Sequence, residues 1–347
     1  MQKIRIAILG ASGYTGADLI RLALAHPAIE IAALAAERKA GQSAQAVWPH
    51  FQAAQLPDMA AVDTIDWPTI DAVFGCLPHG ASQQIIARIF DRPAPPKVID
   101  LSADFRLRDP ETYAAWYGAP HAALTLQAEA VYGLTEHFAE DIAQARLVAC
   151  PGCYPTAALL ALLPLVQAID PQRIVINALS GVTGAGRSLK ETNLFTEVAE
   201  AVHPYGIGSH RHMPEMEQAL GDAVGAVLQV SFTPHLIPMN RGELVTTSVD
   251  LANGATVADL RALLATRYAD APFVHLLPEG VAPATRMVRG SNHCVLNVFP
   301  DRIPGRALVI AAIDNLVKGS SGQAIQNFNL MFGLPEAMGL EQAPLFP

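Results

Sequence analysis

The residues best placed to do chemistry lie in two short stretches. Cys150 and Cys153 stand in "ACPGCYPTAALLAL" (149–162), and His210 and His212 stand in "GSHRHMPEMEQAL" (208–220). A C-x-x-C spacing admits three uses: a redox pair, half of a zinc site, or one nucleophile with a bystander. A thioredoxin-like pair needs its own small domain around it. A structural zinc site usually has a second ligand pair at comparable spacing, whereas Cys76 and Cys294 each stand alone. The nucleophile reading has a mechanism. Pro151 and Gly152 impose a turn, and a helix is expected to begin near Pro155–Thr156. A thiol at a helix N-terminus has its thiolate stabilised by the helix dipole. Cys153 is therefore read as the reactive thiol and Cys150, on a strand end, as a packed neighbour. The histidines share their stretch with Arg211, Glu215 and Glu217. His-x-His can ligate a metal, serve a thiol as acid–base partner, or be a polar loop before a helix whose acids suit the dipole. The residue types alone leave these three open.

These side chains need a frame. "IRIAILG" (4–10) is a continuous apolar run, as expected of a parallel strand covered on both faces. "GASGYTG" (10–16) follows, then a helical pattern from Ala17 to His26 and a second strand, "IEIAALAA" (29–36). Strand, glycine turn, helix, strand is the opening of a dinucleotide-binding unit. Gly10, Gly13 and Gly16 allow the tight turn, the approach of a pyrophosphate and close helix packing. Glu37 stands where a ribose-binding acid favours NAD, while Arg38 and Lys39 suit the 2′-phosphate of NADP. The residues lean to NADP and leave NAD open. "DAVFGCLP" (71–78), "KVIDLS" (97–102) and "RLVAC" (146–150) continue the buried strands, with a helix at 82–90.

Beyond residue 150 the texture changes. A helix from about Thr156 is followed by "RIVINALSG" (173–181) and by longer, partly alternating strands: "VLQVSFTPHLIP", "ELVTTSVDLA", "HCVLNVF" and "ALVIAAIDN". A helix at 256–268 interrupts them. The expected class is α/β: an N-terminal Rossmann-like domain, residues 1–149, and an α+β domain, residues 150–316, with a mixed or antiparallel sheet. A C-terminal helical segment, about 317–347, is expected to return to the first domain.

Bulk properties agree. The chain of 347 residues is long enough for about two domains, and at 51% hydrophobic and 16% charged it can bury a large core. A net charge of −9 argues against non-specific nucleic-acid binding. Apolar runs such as "ALLALLPLV" are short and broken by Pro164, so no membrane span is expected, and the start shows no signal-peptide pattern. Four cysteines are too few for a disulfide framework and suit a reducing cytoplasm.

Taken together, "GASGYTG", "LPHG", "SADFRL", "PGCYPTAALLAL", "SGVTGAGR", "HRHMPE" and "AIDNLVKG" give the chain a resemblance to the N-acetyl-gamma-glutamyl-phosphate reductase family of arginine biosynthesis, over nearly its whole length. That family is related to aspartate-semialdehyde dehydrogenase. The resemblance implies an NADP-binding N-terminal domain and a C-terminal domain that is both catalytic and dimer-forming. It implies that Cys153 attacks an acyl phosphate and releases inorganic phosphate, that NADPH reduces the thioacyl enzyme, and that a semialdehyde leaves. His210 is then the acid–base or orienting partner. Arg106, His212 and Glu215 are assigned to substrate binding. Gly10, Ser12, Gly13, Tyr14, Thr15, Gly16 and Arg38 are assigned to the cofactor, with Ser180, Gly181 and Asn315 on its nicotinamide side. No metal is implied; the partners are the small-molecule acyl phosphate and other copies in a homodimer or homotetramer. Cys150 departs from the family, where Asn or an aliphatic residue is common, and a thiol there could pair with Cys153 on oxidation. Met213 replaces a common Thr. The rival readings are a reductase of another acyl phosphate, aspartyl or carrier-bound aminoadipyl, and a non-catalytic NADPH-binding regulator. The intact Cys153 and His210 speak against the regulator.

Overall fold

The computed structural model describes residues 3–346 and divides into two compact units. The first runs up to Pro151 and takes back Ser320–Glu341; the second is Gly152–Gly319 together with the residues from Gln342 onward.

The first unit is built on a seven-stranded sheet: β1 (Ile4–Leu9), β2 (Ile29–Ala35), β3 (Met59–Ala60), β4 (Ala72–Gly75), β5 (Lys97–Asp100), β6 (Val131–Tyr132) and β7 (Leu147–Ala149). Their spatial order is β3-β2-β1-β4-β5-β7-β6 and every pairing is parallel. Reversal of direction beside β1 makes the doubly wound arrangement, whose ligands lie at the carboxyl ends of the strands. The central strands are apolar throughout because helices cover both faces; Ile6 to Leu9 and Ala72 to Phe74 are fully buried. The turn after β1 leads into a helix, Tyr14–Ala25. It starts earlier than the apolar periodicity suggests because the polar first turn carries no buried stripe. The late helix Gly322–Met331 packs on the helices Tyr14–Ala25 and Thr135–Gln144 and on β5. It is shorter than the C-terminal segment expected from sequence. The residues from Gln342 onward group with the second unit, where the Leu345 N–H donates to the Arg289 carbonyl.

The second unit holds a mixed sheet: β8 (Ile169–Gly181), β9 (His203–Pro204), β10 (Ser231–Ile237), β11 (Glu243–Leu251), β12 (Val274–Leu276), β13 (Cys294–Pro300) and β14 (Arg306–Ile313), in the order β12-β13-β14-β11-β8-β10-β9. β8 pairs parallel with β10, while β11 runs antiparallel to both β8 and β14. Burial alternates along β11 and along most of β14, so one face is core and the other half-exposed. The helix Cys153–Leu162 packs against β11 and β14. Everything in it from Tyr154 to Leu162 is buried, as an all-round apolar helix requires. The other face presents Val175, Leu244, Leu308 and Ile310, among Thr246 and Ser248.

Candidate active site

In the second unit the turn Pro151–Gly152 does what its residues dictate, but the helix begins at Cys153 itself, not at Pro155–Thr156. Gly152 is the N-cap in extended conformation and Cys153 the first helical residue. Pro155 fits in the first turn because the N–H it lacks would have no intrahelical acceptor there. Thr156 Oγ1 donates to the Gly152 carbonyl at 2.9 Å. The first turn holds no acidic side chain of its own, and the thiol sits at the positive end of the helix. Gly319 explains another close approach: a Cβ there would lie 2.7 Å from Cys153 Cβ and 3.1 Å from Ile313 Cδ1. The thiol residue is thus wedged against the end of β14.

The histidine stretch closes on the same turn. Met213–Val224 is a helix that follows His212, and it packs on the Cys153–Leu162 helix. Glu215, buried in its first turn, accepts the Gly152 N–H on Oε1 at 2.8 Å. The His212 ring covers Gly152 so tightly that a Cβ there would come within 2.3 Å of Nε2. His210 lies beside it, ring centroids 4.7 Å apart, edge-on to Tyr154, Tyr205 and Phe232. Burial, with some repulsion from Arg211, lowers His210 to about 4, so its ring is neutral near pH 7. The His212 N–H donates to His210 Nδ1 at 3.2 Å. That acceptor assignment places the ring proton on Nε2 and makes His210 an N–H donor.

Ser180, Gly181 and Asn315 come together at a second knot in the same unit. Asn315 Oδ1 accepts the Gly242 N–H at 2.8 Å and its Nδ2 donates to Thr183 Oγ1 at 3.0 Å. A Cβ on Gly181 would meet Asn240 O at 2.8 Å. Ser180 pairs in register with Glu243.

Glu243 is the site residue that the sequence reading missed. It is fully buried, its carboxyl oxygens have no hydrogen-bond donor among the backbone or side-chain N–H and O–H groups, and its carboxyl interacts with the Cys153 thiol. Burial raises it from the ordinary glutamate range to about 8. The signal was present in "ELVTTSV": Glu243 falls on the same face as Val245, Thr247 and Val249, where an acid is out of place.

In the first unit, Gly10 has a positive φ of 77°, and a Cβ would lie 2.1 Å from Cys76 O. A Cβ on Gly16 would lie 2.6 Å from Gly10 O. Gly13 caps the helix without a side-chain bond, Tyr14 and Thr15 open it after Ser12, and its first turn carries no acid. These residues form a cradle of backbone and dipole suited to a pyrophosphate. Glu37 Oε1 accepts the Val62 N–H at 2.9 Å, and Arg38 beside it is exposed. Arg106 is buried, its Nε donating to Cys150 O at 2.8 Å and its Nη2 to Leu101 O at 3.1 Å. Cys150 is buried with Asn327 Nδ2 3.6 Å from its Sγ, and burial pushes its thiol up to about 12. None of the four cysteines is in a disulfide. Among the described residues no cluster of three or more His, Cys, Asp or Glu could hold a metal ion, and no helix is long and apolar enough to cross a membrane. A surface cavity of about 620 Å³, lined by Ile169, Asp250, Leu251 and Arg306, lies at the opposite ends of β8 and β11 from Ser180 and Glu243. None of the candidate residues lines it.

The chain matches family models at both units: semialdehyde dehydrogenase, NAD binding domain, over residues 5–145, and semialdehyde dehydrogenase, dimerisation domain, over residues 153–315. It is 55% identical over 346 residues to the probable chloroplastic N-acetyl-gamma-glutamyl-phosphate reductase of Arabidopsis thaliana, covering 99% of this chain and 86% of that one. It is 53% identical over 350 residues to the N-acetyl-gamma-glutamyl-phosphate reductase of Rhodospirillum rubrum, covering 100% and 99%. Among solved structures, aspartate semialdehyde dehydrogenase II of Vibrio cholerae superposes with a TM-score of 0.72 at 16% identity, over 96% of this chain and 99% of that one. The aspartate semialdehyde dehydrogenase of Candida albicans, solved with NADP, gives 0.70 at 17%, over 95% and 99%. At such identities the likeness is one of fold.

Proposed function

We propose a reaction from one premise: the chain belongs to the N-acetyl-gamma-glutamyl-phosphate reductase family. It is an oxidoreductase of the semialdehyde dehydrogenase type. Its substrate is N-acetyl-glutamyl 5-phosphate, and the products are N-acetyl-glutamate 5-semialdehyde and inorganic phosphate. Cys153 at the positive end of its helix is the single observation that carries this reading. Sγ attacks the acyl carbon, the carbon–oxygen bond to phosphate breaks, and the phosphate oxygen leaves with the electron pair. His210, neutral with its proton on Nε2, donates to the carbonyl oxygen as charge develops there. Glu215 and His212 fix the Gly152 turn from which the thiol projects, and Glu215 acts by positioning, since its Oε1 is committed to the Gly152 N–H. Arg106 is held by two carbonyls in one orientation, which suits a guanidinium that clamps a phosphate.

The cradle of Gly10, Ser12, Gly13, Tyr14, Thr15 and Gly16 fits a dinucleotide. Bound NADPH supplies the hydride that reduces the thioester carbonyl. The preference for NADP rests on Glu37, whose carboxylate is turned to Val62, and on the exposed Arg38 next to it. Ser180, Gly181 and Asn315 order the loop assigned to the nicotinamide side. The half-exposed sheet face with Leu308 and Ile310 is the dimer surface in this reading. Four cysteines outside any disulfide support a reducing, cytoplasmic setting.

The test is phosphate-dependent reduction of NADP with N-acetyl-glutamate semialdehyde, the reaction run in reverse. Wild type is expected to be active and Cys153→Ala to lose at least about 10³-fold. Activity in Cys153→Ala rejects the covalent route, and a preference for aspartate semialdehyde rejects the substrate.

A further inference from the structure

The mechanism above leaves the proton of the Cys153 thiol without a destination. His210 does not provide one: its Nδ1 lone pair already accepts the His212 N–H, and its other nitrogen carries a proton. Burial that keeps the ring neutral also makes it a weak base. The place of Glu243 answers this. It opens β11, paired in register with Ile313 of β14 and Ser180 of β8. Cys153 is packed beside that same Ile313, and the Cys153–Leu162 helix lies across β11 and β14. The carboxyl and the thiol thus meet inside the unit.

The surroundings of Glu243 separate a working carboxyl from a structural one. Asp314, a second buried acid nearby, accepts the N–H groups of Gly290, Leu316 and Val317 and faces Arg241 at 3.4 Å. Glu243 has neither N–H donors nor a cation; besides Cys153 the titratable groups around it are Asp314, Tyr154 and Tyr205. The two tyrosines are linked, Tyr205 OH donating to Tyr154 OH at 3.0 Å, and burial raises both above the ordinary phenol range. They remain neutral, so they supply no charge that would hold Glu243 ionised. A buried carboxyl left without donors costs stability, and such groups concentrate at functional sites.

We propose that Glu243 is a further catalytic residue, the group that takes the proton from Cys153 Sγ as the thiol attacks and returns it when the sulfur leaves. This rests on the covalent reading of Cys153. The reaction starts from the ionised form of Glu243, whose share grows as pH rises toward about 8; in acylation the S–H bond breaks, its proton passes to that carboxylate, and the S–C bond forms as phosphate departs. Glu243 is then a neutral acid beside an uncharged thioester. After reduction the hemithioacetal collapses, the C–S electron pair goes to sulfur, and the Glu243 proton restores the thiol. The pair ends as it began, and the one proton that the overall reduction consumes goes to the released phosphate.

The test is the pH profile of Cys153 alkylation by iodoacetamide, without substrate, in wild type and Glu243→Gln. Two coupled groups titrate in two steps; the wild-type rate is expected to rise in two steps and the Gln variant in one. Phosphate release in a single turnover is expected to fall by on the order of 10²–10³-fold in the Gln variant, with NADP affinity unchanged. One and the same alkylation profile in both proteins, or acylation at the wild-type rate in the Gln variant, overturns the proposal. Should the Gln variant not fold, Glu243→Asp carries the test: a retained acid keeps the two-step profile, and a single step overturns the proposal. Cys153→Ala separates the two claims. If it is inactive while Glu243→Gln behaves as wild type, the covalent route stands and the proton relay falls; if it is active, the covalent route itself falls.

Discussion

At the scale of single residues, the site works by withholding partners as much as by supplying them. Glu215 is fixed on a backbone N–H, His210 is held in one tautomer, and Glu243 has the Cys153 thiol for company but no N–H or O–H donor. The last has a thermodynamic signature. In the unfolded chain Glu243 releases its proton near the ordinary glutamate value, and in the folded protein it holds the proton to about pH 8. Between these values the folded state binds more protons than the unfolded one, so stability falls as pH rises. Glu243→Gln removes the dependence. Thermal denaturation is expected to show the variant gaining on wild type steadily from pH 5.5 to 8, and a constant difference across that range rules out the buried carboxyl as its cause. The alternation in "ELVTTSV" marks Glu243 as an acid on the buried face but says nothing of what it meets there. Its meeting with Cys153 depends on the pairing of β11 with β14, in which Glu243 lies opposite Ile313, far along the chain.

At the scale of elements, the Cys153–Leu162 helix is the part that the sequence predicted best and placed least well. Its apolar run was plain, and so was the turn before it. The helix starts at Cys153, about two residues before the Pro155–Thr156 that the apolar run and the proline point to, and Pro155 is its third residue. A first turn tolerates proline at each of these positions, so the residue marks the vicinity of a helix start but not its register. The shift matters, since it puts the thiol on the helix. Gly152 is the element's weak point. Gly152→Ala forces its new methyl into the His212 ring, an overpacking that costs about 1–3 kcal/mol. The variant is expected to lose most of its turnover while retaining NADP affinity, read by steady-state kinetics and fluorescence titration; wild-type kcat shows that the ring moves without consequence. The glycine turn of the first unit was legible to the residue, because Gly10 and Gly16 obey steric demands that lie within the turn and on the neighbouring strand.

At the scale of the molecule, class followed from patterning while strand order did not: continuous apolar runs gave a parallel sheet, and alternation gave a mixed sheet with one half-exposed face. The residues at the C-terminus were the exception. A short amphipathic stretch can lie on either unit, and local pattern does not say which. The half-exposed face carries the prediction at this scale. Ile310→Glu puts a charge in the middle of β14, between Thr246 and Asn297 on the flanking strands. Light scattering after size exclusion is expected to show a dimer or tetramer for wild type and a monomer for the variant, because a desolvated unpaired charge is not tolerated in an interface. An unaltered assembly state places the contact elsewhere.

Cys150 has a consequence for the lifetime of such a molecule. Its thiol is buried away from solvent, which keeps it protonated at physiological pH, so it offers no attacking sulfur to an oxidised Cys153. A sulfenic acid formed at Cys153 has no internal route back through its C-x-x-C neighbour. Repair then depends on small thiols from outside, and an excess of peroxide drives the sulfur on to acids that are not reduced again. The motif that looks like a safety device leaves the enzyme dependent on outside thiols after a first oxidation and open to permanent inactivation by a further one.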